Sequence, residues 1–158
     1  LLDIHEFLME KGVRMEGVSG VQYLYHDPCH SPMKTHKPLT VAETLLGQPV
    51  RGSERCCGEA GTLASSRPDI ATQLRARKEE VLHQDIQALT GAPKAQGGNV
   101  KLLTSCPACQ QGLERYRLDT GLETDYIVVE LAKAQMGVDW ARQFAEAARN
   151  GGIERVLL

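Results

Sequence analysis

The sequence predicts an α/β domain: a mainly parallel sheet with helices on both faces and cysteine-bearing loops at the carboxyl ends of strands. Three observations carry that expectation. Short apolar runs at Val21–Tyr25, Val100–Thr104 and Tyr126–Val129 alternate with longer segments of helical periodicity. Cys29 follows the first run and Cys106 the second, so both loops are expected to open on the same edge of the sheet, where sites of such folds lie. The 158 residues, 42% apolar and 24% charged, have the size and composition of one globular domain with a real core.

Taken in order, Asp3 to Lys11 reads as a helix. Asp3 caps it, Glu6 completes a capping box, Gly12 stops it, and Ile4, Phe7 and Leu8 form its apolar face. After the first strand, His26-Asp27-Pro28-Cys29-His30-Ser31-Pro32 must be a loop, because its two prolines exclude a regular ladder. Thr40 and Glu43 repeat the capping signature ahead of a helix over Val41–Leu46. Residues 51–66 read as a polar loop. The longest helix is expected from Pro68 to Leu89, ended by Gly91, with Ile70, Leu74, Val81, Ile86 and Leu89 as its apolar stripe. Arg75, Arg77, Lys78, Glu79 and Glu80 are placed on its wet side. Gly91 to Asn99 is a connector. Helices follow over Pro107–Leu118, after the third strand through Met136, and over Asp139–Arg149, the last with Trp140 and Phe144 facing the core and Gly151-Gly152 as its stop.

Composition narrows the function. A net charge of -2 gives no electrostatic reason to expect nucleic acid or an anionic membrane surface. No apolar run approaches the roughly 20 residues of a spanning helix. The chain opens Leu1-Leu2-Asp3, with neither methionine nor signal peptide, and is expected to be a piece of something longer.

The five cysteines carry the chemistry. They form three stations: Cys29, the doublet Cys56-Cys57 before Gly58, and Cys106-Pro107-Ala108-Cys109. An odd count argues against a closed disulfide framework, and nothing points to an oxidising compartment, so a cytoplasmic location is expected. Thiolate is a soft ligand suited to iron–sulfur clusters or zinc. Pro107 fixes a turn that opens a helix, whose free amides favour thiolate. Neighbouring side chains diverge, so Cys56 and Cys57 can reach different metal atoms, while Gly58, and Gly61 like it, let the backbone turn beside an inorganic core. A structural zinc or a cubane cluster takes four ligands. Five thiols therefore mean either one free thiol or an irregular cluster.

These segments resemble a known family. Tyr25-His26-Asp27-Pro28-Cys29-His30, Cys56-Cys57-Gly58-Glu59-Ala60-Gly61 and Thr104-Ser105-Cys106-Pro107-Ala108-Cys109 are similar to the three cysteine segments of the cysteine-rich CCG domain, and Glu130-Leu131 falls where its members carry a Glu-Leu pair. That domain occurs in the B component of heterodisulfide reductase and in iron–sulfur subunits of glycolate oxidase type. The resemblance implies that residues 1–158 are one CCG unit, resembling the C-terminal part of an FAD-linked oxidoreductase. It implies a [4Fe–4S] cluster, non-cubane in some members, held by Cys29, Cys56, Cys57, Cys106 and Cys109, or zinc as in other members. His30, Gly58 and Gly61 are expected beside the cofactor. FAD would sit on another domain or subunit, the partners would be flavin-binding and ferredoxin-like, and any membrane association would come through them.

Milder readings stand beside these. His26 and His30 are expected to hydrogen-bond loop backbone, with His36 nearby; Asp27 and Glu59 are expected to orient loop amides rather than move protons. Gly97-Gly98 lacks the spacing and lysine of a phosphate loop. Three function classes follow: an electron-transfer domain of an oxidoreductase, a structural zinc domain for subunit assembly, and a metal-free thiol redox module. No dinucleotide fingerprint is present, and the chain holds no complete active site for a substrate.

Overall fold

A computed structural model describes residues 2–59 and 61–151. Leu1, Ala60 of the doublet segment and Gly152 of the expected C-terminal stop lie outside the described residues. Four strands, β1 (Gln22–His26), β2 (Val50–Gly52), β3 (Val100–Thr104) and β4 (Glu123–Tyr126), form one sheet in the order β2-β1-β3-β4. Every pairing is parallel, with Leu24 opposite Arg51 and Leu102, and Leu103 opposite Asp125. Eight helices are described: α1 (Ile4–Glu10), α2 (Pro38–Leu46), α3 (Leu63–Ser66), α4 (Pro68–Thr90), α5 (Pro107–Glu114), α6 (Arg117–Thr120), α7 (Ile127–Met136) and α8 (Trp140–Arg149).

Strand alternation sorts the core into two layers. Tyr23, Tyr25 and Leu103 face α2 and α7, packing with Val41, Leu45, Ile127 and Leu131. Leu24, Val100 and Leu102 face the other way, onto Leu82 and Ile86 of α4 and Leu113 of α5. Helices thus cover both faces, as expected. The chain leaves β1 toward β2 on one side and returns to β3 on the other, so a topological switch point lies between β1 and β3.

Several expectations need correction. β2 overlaps the start of the segment read as a loop; three residues, of which only Val50 is buried, carry no readable period. The third strand is Glu123–Tyr126, and the β-branched run Ile127-Val128-Val129 instead opens α7. There Ile127 and Leu131, one turn apart, both bury in the core. Thr40 is not a cap: α2 starts at Pro38, with Lys37 extended before it, and Glu43 instead accepts from the Val50 amide. In α1 Asp3 caps as expected, through the His5 amide. Ile4 and Phe7 are exposed, however, and the buried residues are His5 and Glu6. Glu6 accepts from the Thr35 and His36 amides, fastening the end of the β1 loop. Burial works to raise its carboxyl, but those amide donors prevail and hold it below the usual range. The helix expected over Pro107–Leu118 breaks into α5 and α6 around buried Tyr116. Phe144 of α8 is 47% exposed and not core.

Candidate metal centre

Three loops leave the carboxyl ends of β1, β2 and β3, and each carries one cysteine station. All five cysteines line one cavity of about 380 Å³, together with Pro28, His30, Glu59, Gly61 and Ala108. The doublet splits. Cys56 Sγ lies 3.9 Å from Cys29 Sγ at the exposed rim, and Cys57 Sγ lies 3.3 Å from Cys109 Sγ in the interior. Cys106, half-buried, stands at the start of α5. None is in a disulfide. Two thiolates on one tetrahedral ion at ~2.3 Å would be about 3.7 Å apart, so both separations suit sulfurs sharing metal.

Specific contacts hold the loops. The Tyr25 hydroxyl is 3.2 Å from Asp27 Oδ1 and 3.1 Å from Ser105 Oγ, tying the β1 loop to the β3 loop. Burial pushes that phenol well above its ordinary pKa. Gly58 has φ +79°, and its amide donates to Cys56 Sγ at 3.4 Å. Only glycine adopts that conformation without strain. Gly61 also has positive φ, but a Cβ there would meet nothing within 4 Å, so its role is the turn rather than a close approach. Gly112, which the sequence did not reveal, lets the doublet loop sit against α5: a Cβ there would strike the Glu59 side chain. Glu59 does not orient an amide with its side chain; it pairs with Arg115 and, at 3.4 Å, with Arg75. Asp27 is held by Tyr25.

Two residues stand in unexpected places. Lys78, assigned to the wet side of α4, is fully buried. Its ammonium donates to Ser53 Oγ at 2.9 Å, Ser53 O at 3.2 Å and Glu54 O at 2.6 Å, holding the loop that leads to the doublet. Burial lowers its pKa to about 8, against the opposing pull of Asp85 and of Cys57, Cys109 and Cys56. The side chain of His26 does not bond loop backbone. It is buried with Nδ1 3.4 Å from Lys78 Nζ, and one ring nitrogen lies within 4.8 Å of the Cys57 and Cys109 sulfurs. His30 is exposed on the cavity rim, and His36 lies 3.4 Å from Glu10, away from the sulfurs.

The inner sulfurs lie close enough to share a proton. The hydrogen bond between them holds Cys57 below the ordinary thiol range despite burial, with His26 and the Glu59 amide adding to the effect. Cys109 is pushed up by that same bond and by burial. Burial also raises Cys56. A second cavity of about 480 Å³ abuts the outer pair; Cys29 and Cys56 line it with Tyr25, His26, Lys37 and Arg55. Arg55 has φ +69°, the one non-glycine residue of positive φ among the described residues.

A parallel sheet whose strand ends gather five free thiols into one cavity defines a sulfur-rich ligand-binding domain. The cysteine-rich domain family called CCG matches residues 23–114, and the chain belongs to it. Residues 114–158 match a domain of unknown function, DUF3400. The B component of the fumarate reductase (CoM/CoB) of Methanothermobacter marburgensis is 29% identical over 119 residues, covering 70% of this chain and 22% of that protein. Uncharacterized iron-sulfur proteins of Methanococcus maripaludis and Methanocaldococcus jannaschii are 26% and 25% identical, over 83% and 82% of this chain and 26% of each of them. The chain thus spans about a quarter of the length of these curated relatives. No solved structure matches it. No helix among the described residues is long and apolar enough to cross a membrane.

Proposed function

We propose that this chain is the iron–sulfur electron-transfer domain of a larger oxidoreductase. One observation carries the reading: five free thiols from three strand ends line a single cavity. Cys29, Cys56, Cys57, Cys106 and Cys109 would hold the cluster, and five thiolates exceed the four of a cubane, which favours a non-cubane [4Fe–4S] form. Bound there, the cluster supplies one-electron transfer. The residues around it do the rest. Buried Pro28 lines the cavity, the Glu59 ion pairs and Tyr25 fix the loops, and the Lys78 ammonium offsets part of the thiolate charge.

The names of the relatives support the iron–sulfur reading and a role beside other subunits. Flavin-binding and ferredoxin-like domains or subunits would deliver electrons, in a flavin-linked enzyme of 2-hydroxy-acid dehydrogenase or heterodisulfide reductase type. The second cavity is where a small acceptor would approach Cys29 and Cys56. A zinc reading has one observation in its favour: His26, Cys57 and Cys109 form a compact nitrogen and sulfur set.

Purification without oxygen, followed by iron, sulfide and zinc analysis with electron paramagnetic resonance, decides between them. Iron with matching sulfide is expected. Stoichiometric zinc without sulfide would replace the reading with a structural zinc domain, and titratable thiols with neither metal would replace it with a dithiol module.

A further inference from the structure

The buried pair Lys78 and His26 answers a question that the cysteines leave open: what the histidine beside the inner sulfurs does. An ammonium group only donates hydrogen bonds. Lys78 Nζ lies 3.4 Å from His26 Nδ1, and its positive charge disfavours a proton on that nitrogen, which places the proton of a neutral ring on Nε2. His26 is 2% exposed, and its Nε2 makes no hydrogen bond, to sulfur included, among the described residues, so a buried polar nitrogen is left without a partner. The Cys57 and Cys109 sulfurs lie within 4.8 Å of a nitrogen of this ring. A nitrogen that carries a proton donates; it does not ligate.

We propose that His26 donates its Nε2–H to the sulfurs of the inner pair rather than binding metal, and that Lys78 fixes the tautomer that makes this possible. Both are positioning residues. A hydrogen bond and a buried positive charge beside a sulfur-ligated centre stabilise its reduced, more negative state, so the pair raises the reduction potential. Lys78 can act from here because its N–H groups are anchored on Ser53 and Glu54, in the segment that runs into the doublet.

This rests on the proposed iron–sulfur reading, and the test separates the two. The whole chain, purified without oxygen, is titrated potentiometrically with iron measured in parallel. His26→Leu is expected to keep its iron and shift to a more negative potential. His26→Gln, which retains an N–H donor, is expected to recover part of the shift. Lys78→Met is expected to move the same way, and Lys78→Arg less. Loss of iron in both His26 variants would make the ring a ligand and overturn the proposal, as would unchanged potentials in all four. Independently, nitrogen-15 NMR of the metal-free wild-type chain reads the His26 tautomer: Nε2–H is expected, and Nδ1–H overturns the proposal even if variants fail to fold. A wild-type chain that takes up no iron defeats the iron–sulfur reading alone, leaving the ring measurement to decide this one.

Discussion

The outer and inner halves of the cysteine cavity differ in a way that explains the doublet. Cys29 and Cys56 stand 3.9 Å apart at the rim, against a second, open cavity. Cys57 and Cys109 stand 3.3 Å apart within the apolar layer that contains Leu24, Leu82 and Leu113. Two consecutive residues thus serve two environments, one facing solvent and one facing the core. On the proposed reading, the inner half would hold the centre among buried residues and the outer half would expose it to solvent. A single cysteine at either position could not span both.

That contrast can be broken most severely at the inner half. Cys57→Ser is expected to abolish iron incorporation, and Cys106→Ser likewise, whereas Cys29→Ser is expected to retain a measurable fraction because its sulfur lies at the rim. Equal iron content in Cys57→Ser and Cys29→Ser, measured colorimetrically on anaerobic protein, would erase the distinction. Gly112→Val comes next. It drives a side chain into Glu59 and the Cys57 backbone, so a stability loss of about 1–3 kcal/mol is expected in denaturant titration, with lowered iron uptake.

Smaller effects lie away from the cavity. Buried Glu130 bonds Lys101 and Lys133, each at 2.9 Å, toward the amino end of β3. Burial works to raise the Glu130 pKa, but the two lysines prevail and lower it from 4.5. A lowered carboxyl gives stability that is present above its unfolded value and lost as pH falls through the folded one. Glu130→Gln is therefore expected to cost about 1–2 kcal/mol near neutral pH and to show shallower acid unfolding below pH ~4.5 than wild type. Iron content is expected to hold. Parallel acid curves for the two proteins would show that the network contributes nothing. The mildest change is Asn99→Ala, which removes one turn hydrogen bond to the Gln96 amide; a loss of about 0.5–1 kcal/mol with full iron is expected. Substantial iron loss there would mean that the connector supports the site.

Much of this was legible in residue spacing. β1 and β3 stood out as apolar runs followed by cysteines, and the three stations implied a common edge. The pairing within the doublet was not legible, because adjacent positions say only that side chains diverge. Lys78 was hidden among Arg77, Glu79 and Glu80; only tertiary contact with Ser53 and Glu54 shows why a charge lies in the core. β2 was invisible because its pairing with β1, not its own pattern, defines it. The apolar side chains of α8 were read as core, yet none of that helix's residues is buried.

Native mass spectrometry of the anaerobically purified chain tests the central claim most directly, because it weighs protein and inorganic contents together. The account expects each chain to carry the mass of one cluster, about four iron and four sulfide, with all five thiols spared from alkylation. A bare chain, or one heavier only by zinc with Cys29 and Cys56 freely alkylated, would contradict it.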